Sequence, residues 1–167
     1  MSDGSVGLMG PALHDGLQPL AFLLGTWRGE GKGEYPTIAP FAYGEEVRFW
    51  HVGKPFLAYS QRTWALDDER PLHAEMGYWR PQPEGGVEVI MAHPFGIAEI
   101  EIGAVSGQRV ELMTHLIESA PTAKEVTRVE RSLHVTGDLL SYELRMAAVG
   151  QPLTHHLRAE LLRTADA

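Results

Sequence analysis

Eight histidines and no cysteine set what this chain's side chains could do. Without cysteine there is no disulfide framework and no thiolate metal site, which fits a reducing compartment. Imidazole is what remains. His14, His51, His115 and His134 fall in a leader, at strand ends or beside turns, and read as ordinary polar residues. His73 lies in LHAEMGYW, and His93 leads a Pro-Phe-Gly turn. The pair His155-His156 opens the last predicted strand. For each alone, the ordinary alternative is a ring hydrogen-bonded at a strand end. A metal centre built only from side chains needs three or four ligands in fixed geometry. No pair here has His-x-His spacing, so none is expected. A hydrolase triad lacks its Gly-x-Ser-x-Gly elbow.

The elements that must position these residues are strands. Period-2 patterning runs through 43–52, 56–65, 72–80, 87–92, 97–105, 109–117, 124–135, 139–147 and 154–163. Turn signals such as Gly53-Lys-Pro, Ser106-Gly107 and Gly137-Asp138 separate them. The tenth strand is the stretch LGTWRGEGKGEYPTI, Leu24–Ile38, with Gly25, Gly29, Gly31 and Gly33. Repeated glycine in a strand marks a sharp bend or a close backbone approach. Trp27 would plug one end of the resulting barrel. It is no phosphate cradle: no GK[ST] follows, and β-type residues stand where a helix should open. Residues 17–24 read as one helical turn that lids the barrel, and the chain is expected to turn after Pro36 and Pro40. The fold class is therefore all-β, a ten-stranded antiparallel up-and-down barrel of the lipocalin or fatty-acid-binding-protein kind, closed so that no edge strand remains. Such barrels enclose a ligand cavity.

The chain has 167 residues, enough for one domain with an enclosed pocket. A loose leader is expected over 1–16 and a single barrel domain over 17–167. Fourteen Lys+Arg against 22 Asp+Glu give a net charge of −8, which repels a phosphate backbone and excludes a nucleic-acid partner. No stretch approaches the ~20 apolar residues that span a bilayer. The N-terminus lacks a signal-peptide pattern, so a cytoplasmic location and no membrane are expected.

Several motifs occur together. They are Gly25-Thr-Trp27-Arg-Gly29-Glu-Gly31, then Gly33-Glu-Tyr35-Pro36-Thr37-Ile38, Tyr43-Gly-Glu-Glu, Gly53-Lys-Pro-Phe-Leu-Ala-Tyr59 and Leu72-His-Ala-Glu75. Pro121-Thr-Ala-Lys124-Glu-Val, Leu140-Ser-Tyr-Glu-Leu-Arg-Met146 and the closing His156-Leu157-x-Ala159-x-Leu161-x-Arg163 follow in order. From about Leu20 to Arg163 the chain resembles the nitrobindins, in particular actinobacterial members. These are ten-stranded barrels that carry ferric haem b. One histidine suffices there, because the porphyrin supplies the other four iron ligands.

The resemblance implies one haem b per chain, with His156 as proximal metal ligand and catalytic residue. It implies that Thr37 and Lys124 contact the haem and that Met146 and His73 line the pocket. Gly25, Trp27, Gly29 and Gly31 of the motif are counted with the cofactor-binding set. Phe95 stands where the family often has Thr or Ser, which implies a bulkier rim. The implied activity is peroxynitrite isomerase: binding nitric oxide and isomerising peroxynitrite to nitrate, with no net redox change. A homodimer is left open. The rival reading is a non-enzymatic carrier of a fatty acid or other small apolar ligand, which would want a cation in the cavity, for which Arg128 and Arg145 are available.

Strand parity conflicts with the motif. Strict alternation puts His155 on the face of Leu157, Ala159 and Leu161, and His156 with Arg158 and Glu160. A haem lying at the mouth, or a bulge at the strand's start, would reconcile alternation with an inward His156.

Overall fold

The computed structural model describes residues 10–165; of the expected leader, residues 1–9 lie outside them. Ten strands follow in chain order: β1 (Gly25–Tyr35), β2 (Ile38–Trp50), β3 (Leu57–Ala65), β4 (Pro71–Pro81) and β5 (Gly86–His93), then β6 (Ile97–Ser106), β7 (Arg109–Ser119), β8 (Val126–Thr136), β9 (Leu139–Ala148) and β10 (Thr154–Arg163). Each pairs with the next, and β10 returns to pair antiparallel with β1, so the barrel closes as expected. Alternating side chains then divide into an inner and an outer set.

One end is shut. The segment expected to form one helical turn is a longer 3-10 helix, Asp15–Leu23, with Pro19 inside it. It buries Leu17, Leu20 and Leu23 completely. Trp27 lies beneath, fully buried, and its indole Nε1 donates to the Leu23 carbonyl at 2.8 Å. The Arg163 guanidinium stacks 4.0 Å from the Trp27 ring and donates to the Leu24 carbonyl. Phe49, Tyr59 and Trp79 pack edge to face or tilted in the same cluster, with centroids 5.1–5.8 Å apart.

Glycine in β1 serves close approach. A Cβ on Gly29 would fall on the Glu160 carbonyl oxygen, and one on Gly31 would fall on the Tyr43 ring.

The expected turn needs a correction. The chain turns only at Pro36-Thr37, and β2 begins at Ile38, ahead of Pro40. Gly33 pairs with Phe41 and Tyr35 with Ile38, so Ala39 and Pro40 together face the single residue Glu34. Proline cannot donate to a ladder, and a bulge is where a strand tolerates it.

Candidate functional site

The barrel's other end is open, and strand direction gathers particular residues there. The ends of β1, β3, β5, β7 and β9 and the starts of β2, β4, β6, β8 and β10 all meet at this mouth. A cavity of about 1090 Å³ runs in from it. Its wall carries Phe41, Leu72, Ile97, Leu144, Met146 and Leu157 among other apolar side chains.

His156 lines this cavity, and His155 is not among its lining residues. The cause is a bulge. His155 pairs with Arg145 of β9 and Leu157 with Leu144, so His156 is the extra residue that the ladder skips. It turns inward without disturbing the inward run of Leu157, Ala159 and Leu161. The β1–β10 ladder ends at Gly33 and Leu157. Beyond it, His156 Nδ1 lies 3.0 Å from the Glu34 carbonyl oxygen. A carbonyl only accepts, so Nδ1 carries the proton and Nε2 keeps its lone pair. Burial pushes the imidazole pKa down, partly opposed by the bond to Glu34, and the nearby His155 and His73 lower it further. The neutral ring is therefore favoured. Tyr35 meets it edge-on at 5.2 Å, and Phe41 flanks it at 6.4 Å. The Tyr35 hydroxyl accepts from the Ala148 N–H at 2.9 Å, tying the end of β1 to β9.

The other expected residues divide. His73, Lys124 and Met146 line the cavity, Lys124 from the exposed loop before β8. Thr37 sits exposed in the β1–β2 turn and is not on the cavity wall. Gly25 and Trp27 stand at the shut end, and Gly29 and Gly31 lie along β1; none of the four lines the cavity. Phe95 does, and stacks on His73 at 5.5 Å.

The cavity also holds a charged network that the strand patterns left unread. Arg131 of β8 donates to Glu75 Oε1 at 2.9 Å, Glu99 Oε1 at 3.3 Å and Glu101 Oε1 at 3.0 Å. All three carboxylates are buried. Burial works to raise the Glu75 pKa, but Arg131 and hydrogen-bonded His73 outweigh it and hold the carboxyl well below the usual range. Burial pushes Glu101 up to about 7 despite Arg131. Deeper in, Tyr142 donates to Glu45 Oε2 at 2.6 Å and Gln61 Nε2 to Oε1 at 3.2 Å. Burial raises Glu45 to about 7 against those two bonds.

Three possible donor atoms come together in the cavity although no pair of histidines has His-x-His spacing. His73 Nε2, Glu75 Oε2 and His93 Nδ1 converge, with mutual distances of 3.2, 3.3 and 3.4 Å. The spacing that marks it is His-x-Glu on one strand face, completed by a histidine on the next strand.

A closed ten-stranded barrel with one shut end, a cavity whose apolar wall surrounds a charged network, and a histidine at the mouth is a ligand-binding barrel. Residues 16–163 match the model of the THAP4-like, heme-binding beta-barrel domain, and the chain belongs to that family. It is 57% identical over 155 residues to peroxynitrite isomerase 2 of Mycobacterium marinum, covering 90% of this chain and 96% of that one. It is 54% identical over 158 residues to peroxynitrite isomerase 1 of Mycobacterium tuberculosis, with the same coverage. The crystal structure of Rv2717c from M. tuberculosis superposes with a TM-score of 0.86 at 53% identity, covering 92% of this chain and 100% of that one. The S-type phycobiliprotein lyase CPES from Guillardia theta shares the fold alone, at 9% identity and a TM-score of 0.63.

The residues present fit the haem of the family's description. Nε2 of a neutral histidine is an iron donor of the right kind, and the apolar wall suits a porphyrin face.

Proposed function

We propose that this chain holds one haem b through His156 and isomerises peroxynitrite to nitrate. The observation that carries this is the β10 bulge, which turns a neutral His156 into the cavity with Nε2 free. When bound, haem supplies a Lewis-acidic iron with one coordination position left for a small ligand, nitric oxide among them. The Glu34 carbonyl holds the imidazole in one tautomer and one orientation. Tyr35 and Phe41 limit its rotation. Met146, Leu144 and Leu157 would give the porphyrin an apolar wall, and Lys124 would offer a cation to its carboxylate substituents. Isomerisation breaks the O–O bond of peroxynitrite and forms a new N–O bond to the same oxygen, so atoms balance and no reductant is needed.

The carrier reading has less support. Arg128 and Arg145 lie on the outer surface, both paired with Glu130. Arg131, inside the barrel, is already held by three carboxylates, which leaves a fatty-acid headgroup only rim cations such as Lys124 among the described residues.

A homodimer belongs to the same reading. The outer wall of β4–β7 exposes Met76, Tyr78, Ile90, Ile102 and Met113 on adjacent strands, a patch that sedimentation of the haem-loaded protein would test.

The deciding experiment compares peroxynitrite decay and nitrate yield with haem-loaded protein, haem-free protein and free hemin. Faster decay with near-complete conversion to nitrate by the loaded protein alone is expected. Equal rates for loaded protein and buffer would overturn the reading.

A further inference from the structure

We propose that His73, Glu75 and His93 form a second metal site, for a divalent transition-metal ion such as zinc or ferrous iron, across the cavity from His156.

The geometry starts from the strands. His73 and Glu75 are two residues apart on β4 and so share its inner face. The β4–β5 register pairs Met76 with Ala92, and one step further brings His93 opposite Glu75. In the ring of ten, β5 is the strand opposite β10, so this cluster and His156 occupy facing walls.

Three donor atoms then form a nearly equilateral triangle with edges of 3.2, 3.3 and 3.4 Å. Zinc binds imidazole and carboxylate at about 2.0–2.2 Å, which puts neighbouring tetrahedral ligands about 3.3–3.5 Å apart. The triangle matches that spacing without movement. Two imidazoles and one carboxylate are also the donor set of divalent zinc and non-haem iron. All three residues line the cavity, so a further position remains for water or a small ligand.

His93 Nε2 lies 2.8 Å from Glu99 Oε1 and donates to it, which leaves Nδ1 of the neutral ring with its lone pair toward His73 Nε2 and Glu75 Oε2. With a metal ion between them, His93 Nδ1 and His73 Nε2 would present lone pairs and Glu75 Oε2 would complete the set. The surrounding bonds are those that orient metal ligands. Glu99 fixes the His93 tautomer, while Tyr59 and Arg131 donate to Glu75 Oε1 at 2.7 and 2.9 Å. Charge agrees. Glu75 and Glu99, together with Glu101 whose ionisation burial opposes, surround Arg131, and Glu99 Oε2 and Glu101 Oε2 are buried without a partner among the described residues. A dication offsets that negative surplus. The inference does not rest on His156 or on peroxynitrite, since its donors are separate.

The test uses haem-loaded protein incubated with zinc chloride, desalted, and assayed for metal. One zinc per chain beyond the haem iron is expected. His73→Gln and His93→Gln should each lower zinc affinity at least tenfold, while the exposed His115→Gln leaves it unchanged. Zinc X-ray absorption on the wild type gives an independent readout that needs no variant. It should show two imidazoles and one or two oxygen donors at about 2.0–2.2 Å. No retained zinc, equal zinc retention in wild type and both histidine variants, or a first shell without two imidazoles would each overturn the proposal.

Discussion

His156 and Glu34 are joined by a side-chain-to-backbone bond where their strands stop pairing: Nδ1 meets the Glu34 carbonyl at 3.0 Å, one step beyond the Gly33–Leu157 pair. The β1–β10 ladder stops short of that carbonyl, and the imidazole that bonds it gains a fixed tautomer. His155 has no such role, since it pairs with Arg145 and is absent from the cavity wall.

His156→Ala should therefore lose axial ligation and peroxynitrite activity, while His155→Ala keeps both. Haem can still enter the His156→Ala cavity through apolar contact, so bound haem alone does not decide. The measurement is the ferric spectrum together with the peroxynitrite decay rate in both variants. Loss in His155→Ala with a normal His156→Ala would show that the inward bulge is not the ligating feature.

Trp27→Ala should affect stability rather than haem chemistry. The ring is fully buried under the 3-10 helix, and its truncation costs about 3–5 kcal/mol. A clearly lower melting temperature with unchanged haem stoichiometry in the cold is expected. An unchanged melting temperature with lost haem would put Trp27 in the pocket after all.

How far the sequence discloses this molecule varies along the chain. All ten strands are visible, because period-2 patterning and turn residues are local signals. Strand polarity is less so. On β6 the inner positions hold Glu99 and Glu101, while Ile100 and Ile102 face outward, the reverse of the usual amphipathic pattern. Arg131 is readable in principle, since it shares a face with buried Val129, Leu133 and Val135, but nothing local in the sequence sets its charge apart from those of the outward-facing Arg128 and Arg145. The bulge at His156 breaks parity, so alternation points to His155 and only the motif points to His156. The cluster of His73, Glu75 and His93 needs the β4–β5 register, which no single stretch of sequence carries.

Gly29→Ala should be costly, and Gly10→Ala should not. The new Cβ at Gly29 would fall on the Glu160 carbonyl of the paired strand, whereas Gly10 has open space around it. Overpacking of this kind costs about 1–3 kcal/mol, or more where backbone must move. Urea unfolding of the two variants beside the wild type measures the difference. Equal midpoints would mean β1 and β10 separate freely at that point.

Glu45 should make stability fall as pH rises. Burial raises its pKa from an ordinary 4.5 to about 7, against the bonds from Tyr142 and Gln61. The folded protein thus binds more protons than the unfolded chain between those values. That contribution is fully present below about pH 4.5 and is lost as pH climbs through about 7. Glu45→Gln cannot ionise, and its amide can still bond Tyr142 or Gln61. Relative to wild type, the variant should gain stability from pH 4.5 to pH 8, by about 3 kcal/mol if the whole shift is realised. Other buried carboxylates contribute to both proteins and cancel in the difference. Urea unfolding at several pH values reads it directly. A constant difference between the two proteins would mean that Glu45 titrates normally, with water reaching it through the open mouth.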